Sequence, residues 1–187
     1  LVYSFFIEIY KNVLYYIPDR YTEGYGISFQ GIDYSKENNA TLIIALECGI
    51  KAHDKINYAT EKGIDFIICD HHLPDDTLPD AVAVLDPKRT DCTYPFDELS
   101  GCGIGFKLIQ AYAQKNNISS EKIYEQLDLV AVSIASDLVP VTGENRILAK
   151  FGVDKVNNKP RAGFKALMSE LKLTRSLDIT DLVFIIG

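Results

Sequence analysis

No apolar run in this 187-residue chain reaches the ~18–20 residues that a membrane span needs, so no membrane partner is expected. The opening Leu1-Val2-Tyr3-Ser4-Phe5-Phe6-Ile7 is apolar, but Glu8 and Lys11 soon interrupt it, and it reads as a core helix. Cysteine is sparse, and the four present (Cys48, Cys69, Cys92 and Cys102) form no C-x-x-C pair. That removes a disulfide framework and points to free thiols in a reducing, cytoplasmic setting. A Cys/His zinc site built on Cys69 and His71 lacks a suitably spaced second ligand pair. Positive charge is in deficit: the net charge of −7 argues against a self-sufficient nucleic-acid binder. From Glu144 onward eight Lys/Arg stand against five Asp/Glu, whereas the chain before it holds eleven against twenty-one. The acidity therefore lies where a metal site would use it, although ordinary scatter of surface charge explains the pattern equally well. Internal repeats, low-complexity segments and linkers are also missing, so one domain is the economical reading.

What is present is apolar content of 47%, enough for a real core in one α/β domain. Helical spacing covers residues 1–11, and the β-rich Val13-Leu14-Tyr15-Tyr16-Ile17 stops at Pro18. A polar loop over 19–26 leads to a short helix over 28–36. Thr41-Leu42-Ile43-Ile44-Ala45-Leu46 is continuously apolar, as buried parallel strands are. A helix over 51–62 ends at Gly63, a plausible left-handed cap, and strands over 64–69 and 81–85 follow. Residues 100–116, 121–136, 142–157 and 164–171 read as helices. Alternating strands and helices imply a parallel β-sheet flanked by helices, followed by a helical C-terminal half.

Asp70-His71-His72 stands directly behind Phe66-Ile67-Ile68-Cys69, at the carboxyl end of a predicted buried strand. Ligands bind at that edge of open α/β sheets, and imidazole with carboxylate suits Mn²⁺, Zn²⁺ or Fe²⁺. Alone, the tripeptide also fits a helix-capping Asp beside two surface imidazoles. Glu47 occupies the matching place after residues 42–46, and adjacent parallel strands would bring Glu47 and Asp70 about 4.8 Å apart at the backbone. Gly49 would let the chain turn sharply there. Asp137 closes the run 129–136. Taken singly, Glu47 reads as a helix-start charge and Asp137 as a turn former.

With these residues in view, the chain resembles the DHH family of phosphoesterases. The matching stretches run in order through nearly the whole chain: Ile17-Pro18-Asp19-Arg20-Tyr21-Thr22-Glu23-Gly24-Tyr25-Gly26, Ala45-Leu46-Glu47-Cys48-Gly49-Ile50, Ile68-Cys69-Asp70-His71-His72 and Leu85-Asp86-Pro87-Lys88-Arg89. They continue with Leu99-Ser100-Gly101-Cys102-Gly103-Ile104-Gly105-Phe106-Lys107-Leu108, Ala135-Ser136-Asp137-Leu138-Val139-Pro140 and Gly143-Glu144-Asn145-Arg146. Three departures matter. The family's Asp-rich first motif is absent, Glu47 replaces the motif's Asp, and the chain stops where such enzymes continue into a second domain. The resemblance therefore implies a DHH catalytic domain over 1–157, without its Asp-rich motif, and a helical segment over 158–187 leading towards further structure.

Carried over residue by residue, the resemblance implies that Glu47, His71 and Asp137 ligate Mn²⁺ or Mg²⁺. It implies that Asp70 sits beside or behind His71, orienting its ring, and that His72 faces the scissile phosphate. Arg20 and Arg146 would fork onto phosphate oxygens, and Ser100, Gly101 and Gly103 at a helix start would offer N–H groups to an anion. A salt bridge to adjacent acids for Arg146 and an ordinary helix cap for Ser100 are the plainer alternatives. Tyr21 and Tyr25 suit base stacking, or core packing. The implied activity is 5′-to-3′ single-stranded-DNA exonuclease action in recombination and repair, inactive in this truncated form, with single-stranded DNA and other repair proteins as partners. Two alternatives stand beside it. One is a DHH phosphoesterase for short oligonucleotides, cyclic dinucleotides or pyrophosphate, and the other is a binding module that has lost its chemistry.

Overall fold

The computed structural model describes residues 1–186 and shows two compact units, one over Phe6–Asp97 and one joining Leu1–Phe5 to the chain from Glu98 onward. Helix α1 (Val2–Phe6), which opens the chain, is shorter than its apolar spacing predicts. The unit over Phe6–Asp97 carries the sheet. Ser28 caps helix α2 (Phe29–Glu37), its hydroxyl accepting from Gly31 N–H at 2.9 Å. Strands β1 (Leu42–Leu46), β2 (Asp65–Cys69) and β3 (Ala83–Leu85) form a parallel sheet in the order β1-β2-β3. Ala45 pairs with Ile68, and Cys69 with both Leu46 and Leu85. Helix α3 (His53–Glu61) makes the crossover from β1 to β2 and ends at Gly63, whose φ of 71° is the predicted left-handed cap. Ile32, Ala45, Ile56, Ala59, Ile64, Phe66 and Ile68 close the core of this unit.

Residues 13–17 differ from their sequence pattern. They lie outside any helix or strand among the described residues, with Leu14, Tyr15 and Ile17 exposed. Their β propensity meets no partner edge, and what holds the segment is side-chain contact. Tyr16 packs on Tyr34 with ring centroids 5.2 Å apart and donates its phenol to Glu23 at 2.8 Å. A propensity without a ladder leaves no strand.

The second unit is helical. Helix α4 spans Gly101–Lys115, and the predicted single helix over 121–136 is two, α5 (Ser120–Tyr124) and α6 (Leu127–Ser136). The break has a cause distant in sequence. Arg161 donates to Glu125 O at 2.7 Å, to Gln126 Oε1 at 3.0 Å and to the buried Asp128 carboxylate at 2.6 Å, taking a carbonyl that a continuous helix would use. Helix α7 (Gly143–Asn158) crosses α6 at Gly152, where an added Cβ would lie 2.3 Å from Leu127 O and 2.5 Å from Ala131 Cβ. Helices α8 (Ala162–Glu170) and α9 (Ile179–Asp181) follow, and a π-type turn over Leu182–Ile186 continues from α9. Ala131, Ala135, Val156, Phe164, Leu177 and Leu182 form the core. Phe5 joins this unit from the far end of the chain, its ring edge-on to Tyr112 at 6.1 Å. No helix among the described residues is long and apolar enough to cross a membrane.

Candidate metal centre

The sheet fixes its own carboxyl edge. Beyond β1 the ladder runs one residue further, with Glu47 N–H donating to Cys69 O at 2.8 Å, and beyond β2 Asp70 N–H donates to Leu85 O at 3.0 Å. Glu47, Asp70 and Asp86 thus stand at the ends of three neighbouring parallel strands. Glu47 adopts φ 64°, a left-handed conformation uncommon for a residue with a side chain and frequent at functional positions. Gly49, two residues on, has φ 113°, the sharp turn that the sequence predicts.

A Glu47 carboxylate oxygen and a His71 ring nitrogen lie within 4.8 Å of each other. Two ligands on one cation with bonds of about 2.1 Å span at most about 4.2 Å, so a small side-chain rotation lets this pair share an ion. One hard oxygen and one imidazole nitrogen fit Mn²⁺ better than Mg²⁺, which prefers oxygen alone. Burial pushes the Cys48 thiol up to about 11 and Cys69 up to about 12, so both are protonated at neutral pH.

Asp70 anchors the turn that follows β2. Its carboxylate is buried, with Oδ2 accepting from Ile50 N–H at 2.9 Å and Oδ1 from His71 N–H at 2.8 Å and His72 N–H at 3.2 Å. Oδ1 also lies 2.6 Å from His72 Nδ1. Desolvation alone would raise its pKa, but these hydrogen bonds outweigh burial and hold it below the usual carboxylate range. Asp70 therefore orients His72. Because the carboxylate folds forward over its own turn, it meets the imidazole two residues on. Its acceptor sites are occupied by main chain and His72, which makes it an anchor for the turn.

His72 presents an accessible ring, edge-on to His71 with centroids 4.7 Å apart and to Tyr25 at 6.4 Å. Tyr25 donates towards Glu47 O at 3.4 Å, and the Arg20 guanidinium lies 5.4 Å from the Tyr25 ring centroid. Arg20, Tyr25 and His72 form one exposed row at the sheet edge. Tyr21 is fully exposed and belongs to no core.

In the helical unit Asp137 is the C-cap of α6, and the Ser133 hydroxyl donates to its Oδ2 at 3.2 Å. Sequence reasoning missed Ser133. Its spacing of four residues from Asp137 on one helix face was the available signal. Ser100 is buried and caps α4, accepting from Gly103 N–H at 3.2 Å, while Cys102 N–H points to Ser133 Oγ at 3.4 Å. The plainer reading of Ser100 as a helix cap is what the structure gives, and the cap consumes one of the N–H groups expected to face an anion. Gly101 and Gly103 are buried in the first turn. Arg146 is exposed in the first turn of α7, beside Glu144, which pairs with Lys107.

The N-terminal domain of the DHH family matches residues 1–134. The chain is 37% identical over 187 residues to the single-stranded-DNA-specific exonuclease RecJ of Salmonella typhimurium, covering 94% of this chain and 32% of that protein. To the Bacillus subtilis protein of the same name it is 43% identical over 161 residues, covering 86% of this chain and 20% of that one. A crystal structure of exonuclease RecJ bound to manganese is similar with a TM-score of 0.78 at 28% identity, over 91% of this chain and 42% of that one. RecJ from Thermus thermophilus in complex with Mn²⁺ gives 0.71 at 25% identity, over 84% and 23%. The chain therefore spans between a fifth and a third of the length of these curated relatives.

Proposed function

The chain belongs to the DHH family, and from that membership we propose that it is the catalytic part of a divalent-metal-dependent 5′-to-3′ single-stranded-DNA exonuclease. Residues 1–157 supply the catalytic domain, and residues 158–187 are a helical segment that follows it. The observation that carries this reading is the Glu47–His71 pair at the ends of adjacent parallel strands, spaced for one cation. The relatives' names supply the substrate class, single-stranded DNA.

Glu47, His71 and Asp137 would hold Mn²⁺, with Mg²⁺ as the weaker fit. The ion would supply Lewis acidity at a phosphodiester. The chain's own groups do the rest. His72, fixed through Nδ1 by Asp70, directs its other nitrogen to a phosphate oxygen and carries a proton there. Asp70 keeps that ring in one tautomer and one orientation. Arg20 and Arg146 bind phosphate oxygens along the strand, and Tyr25, already flanked by Arg20 and His72, offers a face to a base. Ser100, Gly101 and Gly103 contribute the dipole of the α4 start more than unpaired N–H groups.

The test is hydrolysis by the full-length protein, comparing a long single strand, the matching duplex and a dinucleotide. Mn²⁺-dependent release of mononucleotides from the 5′ end of the single strand is the expected result. Faster dinucleotide cleavage would transfer the protein to the short-oligonucleotide phosphoesterases. The absence of both hydrolysis and Mn²⁺ binding would leave a binding module. Within the active protein, His71→Ala should lower Mn²⁺ affinity and rate together, whereas His72→Ala should keep the affinity and lose kcat.

A further inference from the structure

Asn145 is fully buried in the first turn of α7, and its one amide nitrogen serves two carbonyls, Glu98 O at 2.6 Å and Pro140 O at 3.0 Å. Both carbonyls are in loops that matter. Pro140 lies three residues beyond Asp137, and Glu98 lies two residues before Ser100, the cap of α4. The Asn145 Oδ1 is buried without a partner among the described residues. An acceptor left uncompensated in a core calls for an explanation, since stability alone selects against it. Between Asp137 and Pro140, Leu138 adopts φ 53°, a left-handed conformation in which a branched side chain is strained. Such a residue persists only where its surroundings hold the chain on both sides. Ser133 holds the near side through Asp137 Oδ2, and Asn145 holds the far side through Pro140 O.

We propose that Asn145 is a positioning residue for Asp137, tying the Asp137–Pro140 loop to the loop that opens α4 so that the carboxylate is presented in one orientation. The chemistry requires an amide here. Aspartate would set a negative oxygen against two carbonyls, and leucine would leave both carbonyls unpaired. The proposal deepens the reading of Asp137 as a metal ligand and rests on it.

The experiment is calorimetric titration of Mn²⁺ into the full-length protein and its Asn145→Asp, Asp137→Ala and doubly substituted variants, with thermal denaturation of each alongside. Asn145→Asp should weaken Mn²⁺ binding roughly tenfold, the usual effect of losing a group that orients a ligand. In the Asp137→Ala background the same substitution should change the residual affinity by less than about twofold, because nothing remains to be positioned. A purely structural role would lower the residual affinity there as well, and that result would overturn the proposal. Loss of affinity in Asp137→Ala with none in Asn145→Asp would overturn it while sparing the ligand reading. Unchanged affinity in Asp137→Ala would overturn the ligand reading and this inference with it. Should Asn145→Asp not fold, Asn145→Ser, which keeps one donor, is read by the same criteria.

Discussion

The sheet unit and the helical unit hold their functional groups by different physics. In the sheet unit the backbone does the placing. Ladder hydrogen bonds carry Glu47 and Asp70 one residue past their strands, and the Asp70 carboxylate is satisfied by N–H groups of Ile50, His71 and His72. In the helical unit long-range side chains do it. Arg161 sets the α5–α6 break, Asn145 ties two loops, and Asn157 exchanges hydrogen bonds with Leu177 through both its oxygen and its nitrogen. A backbone-placed site tolerates surface change, and a site placed by single side chains fails one residue at a time.

The largest test of that contrast is Arg161→Ala. It leaves Asp128, which is fully buried, without its cation and frees the Glu125 carbonyl, and about 3 kcal/mol of stability should be lost. That is the low end for a broken buried pair, since Arg161 itself is partly exposed. Urea denaturation measures it. Lys62→Ala, which removes the partly exposed Lys62–Asp33 pair from the sheet unit and leaves no fully buried charge behind, should move the midpoint far less. Equal losses from the two substitutions would erase the distinction.

Next in size is Asp86. Desolvation at the end of β3, reinforced by the Asp70 charge, raises its pKa to about 6, although Lys88 N–H donates to Oδ1 at 2.8 Å. A raised carboxyl binds its proton more tightly when folded, so stability falls as pH rises from about 4 to about 6, and the cost is complete above that. Asp86→Asn keeps the acceptor for Lys88 and removes the charge. It should stabilise the protein by about 1–3 kcal/mol at pH 7.5 and have little effect at pH 3.5, measured by denaturation at the two pH values. A gain that does not depend on pH would mean that packing, not charge, is responsible.

The smallest effect sharpens the comparison from the functional side. Glu47→Gly relieves a left-handed φ and should raise stability by about 1 kcal/mol while sharply reducing Mn²⁺ affinity. Opposite signs in the denaturation and titration curves would mark the strained backbone as the cost of a ligand. Glu47→Asp separates arm length from strain: if the longer side chain is at fault, the aspartate binds Mn²⁺ more tightly with stability unchanged.

This division also explains what could be read from sequence. Strands β1 and β2, the Gly63 cap, the Gly49 turn and the parallel order are written in local pattern, and so is the placement of Glu47 and His71. The failures share a cause. Residues 13–17 carry strand propensity without an edge to join, and the break at Glu125–Gln126 depends on Arg161, more than thirty residues away. The Asp70–His72 contact, which the motif alone does not show, depends on how one carboxylate folds over its turn. Ser133 and Asn145 bear no chemistry that a motif scan seeks, since their function is visible only in what their hydrogen bonds reach.

The chain's connectivity has a consequence for how the protein is made. Phe5 belongs with Tyr112, yet the whole of Phe6–Asp97 emerges between them. At roughly 5–20 residues per second a ribosome needs about 5–20 s to deliver Tyr112 after Phe5. For that interval the ring, buried in the finished protein, waits for Tyr112, while the parallel sheet of Phe6–Asp97 must assemble through slow crossover connections instead of hairpins. Nascent chains paused between Asp97 and Tyr112 should therefore be the species that chaperones hold and that aggregate when synthesis outruns them.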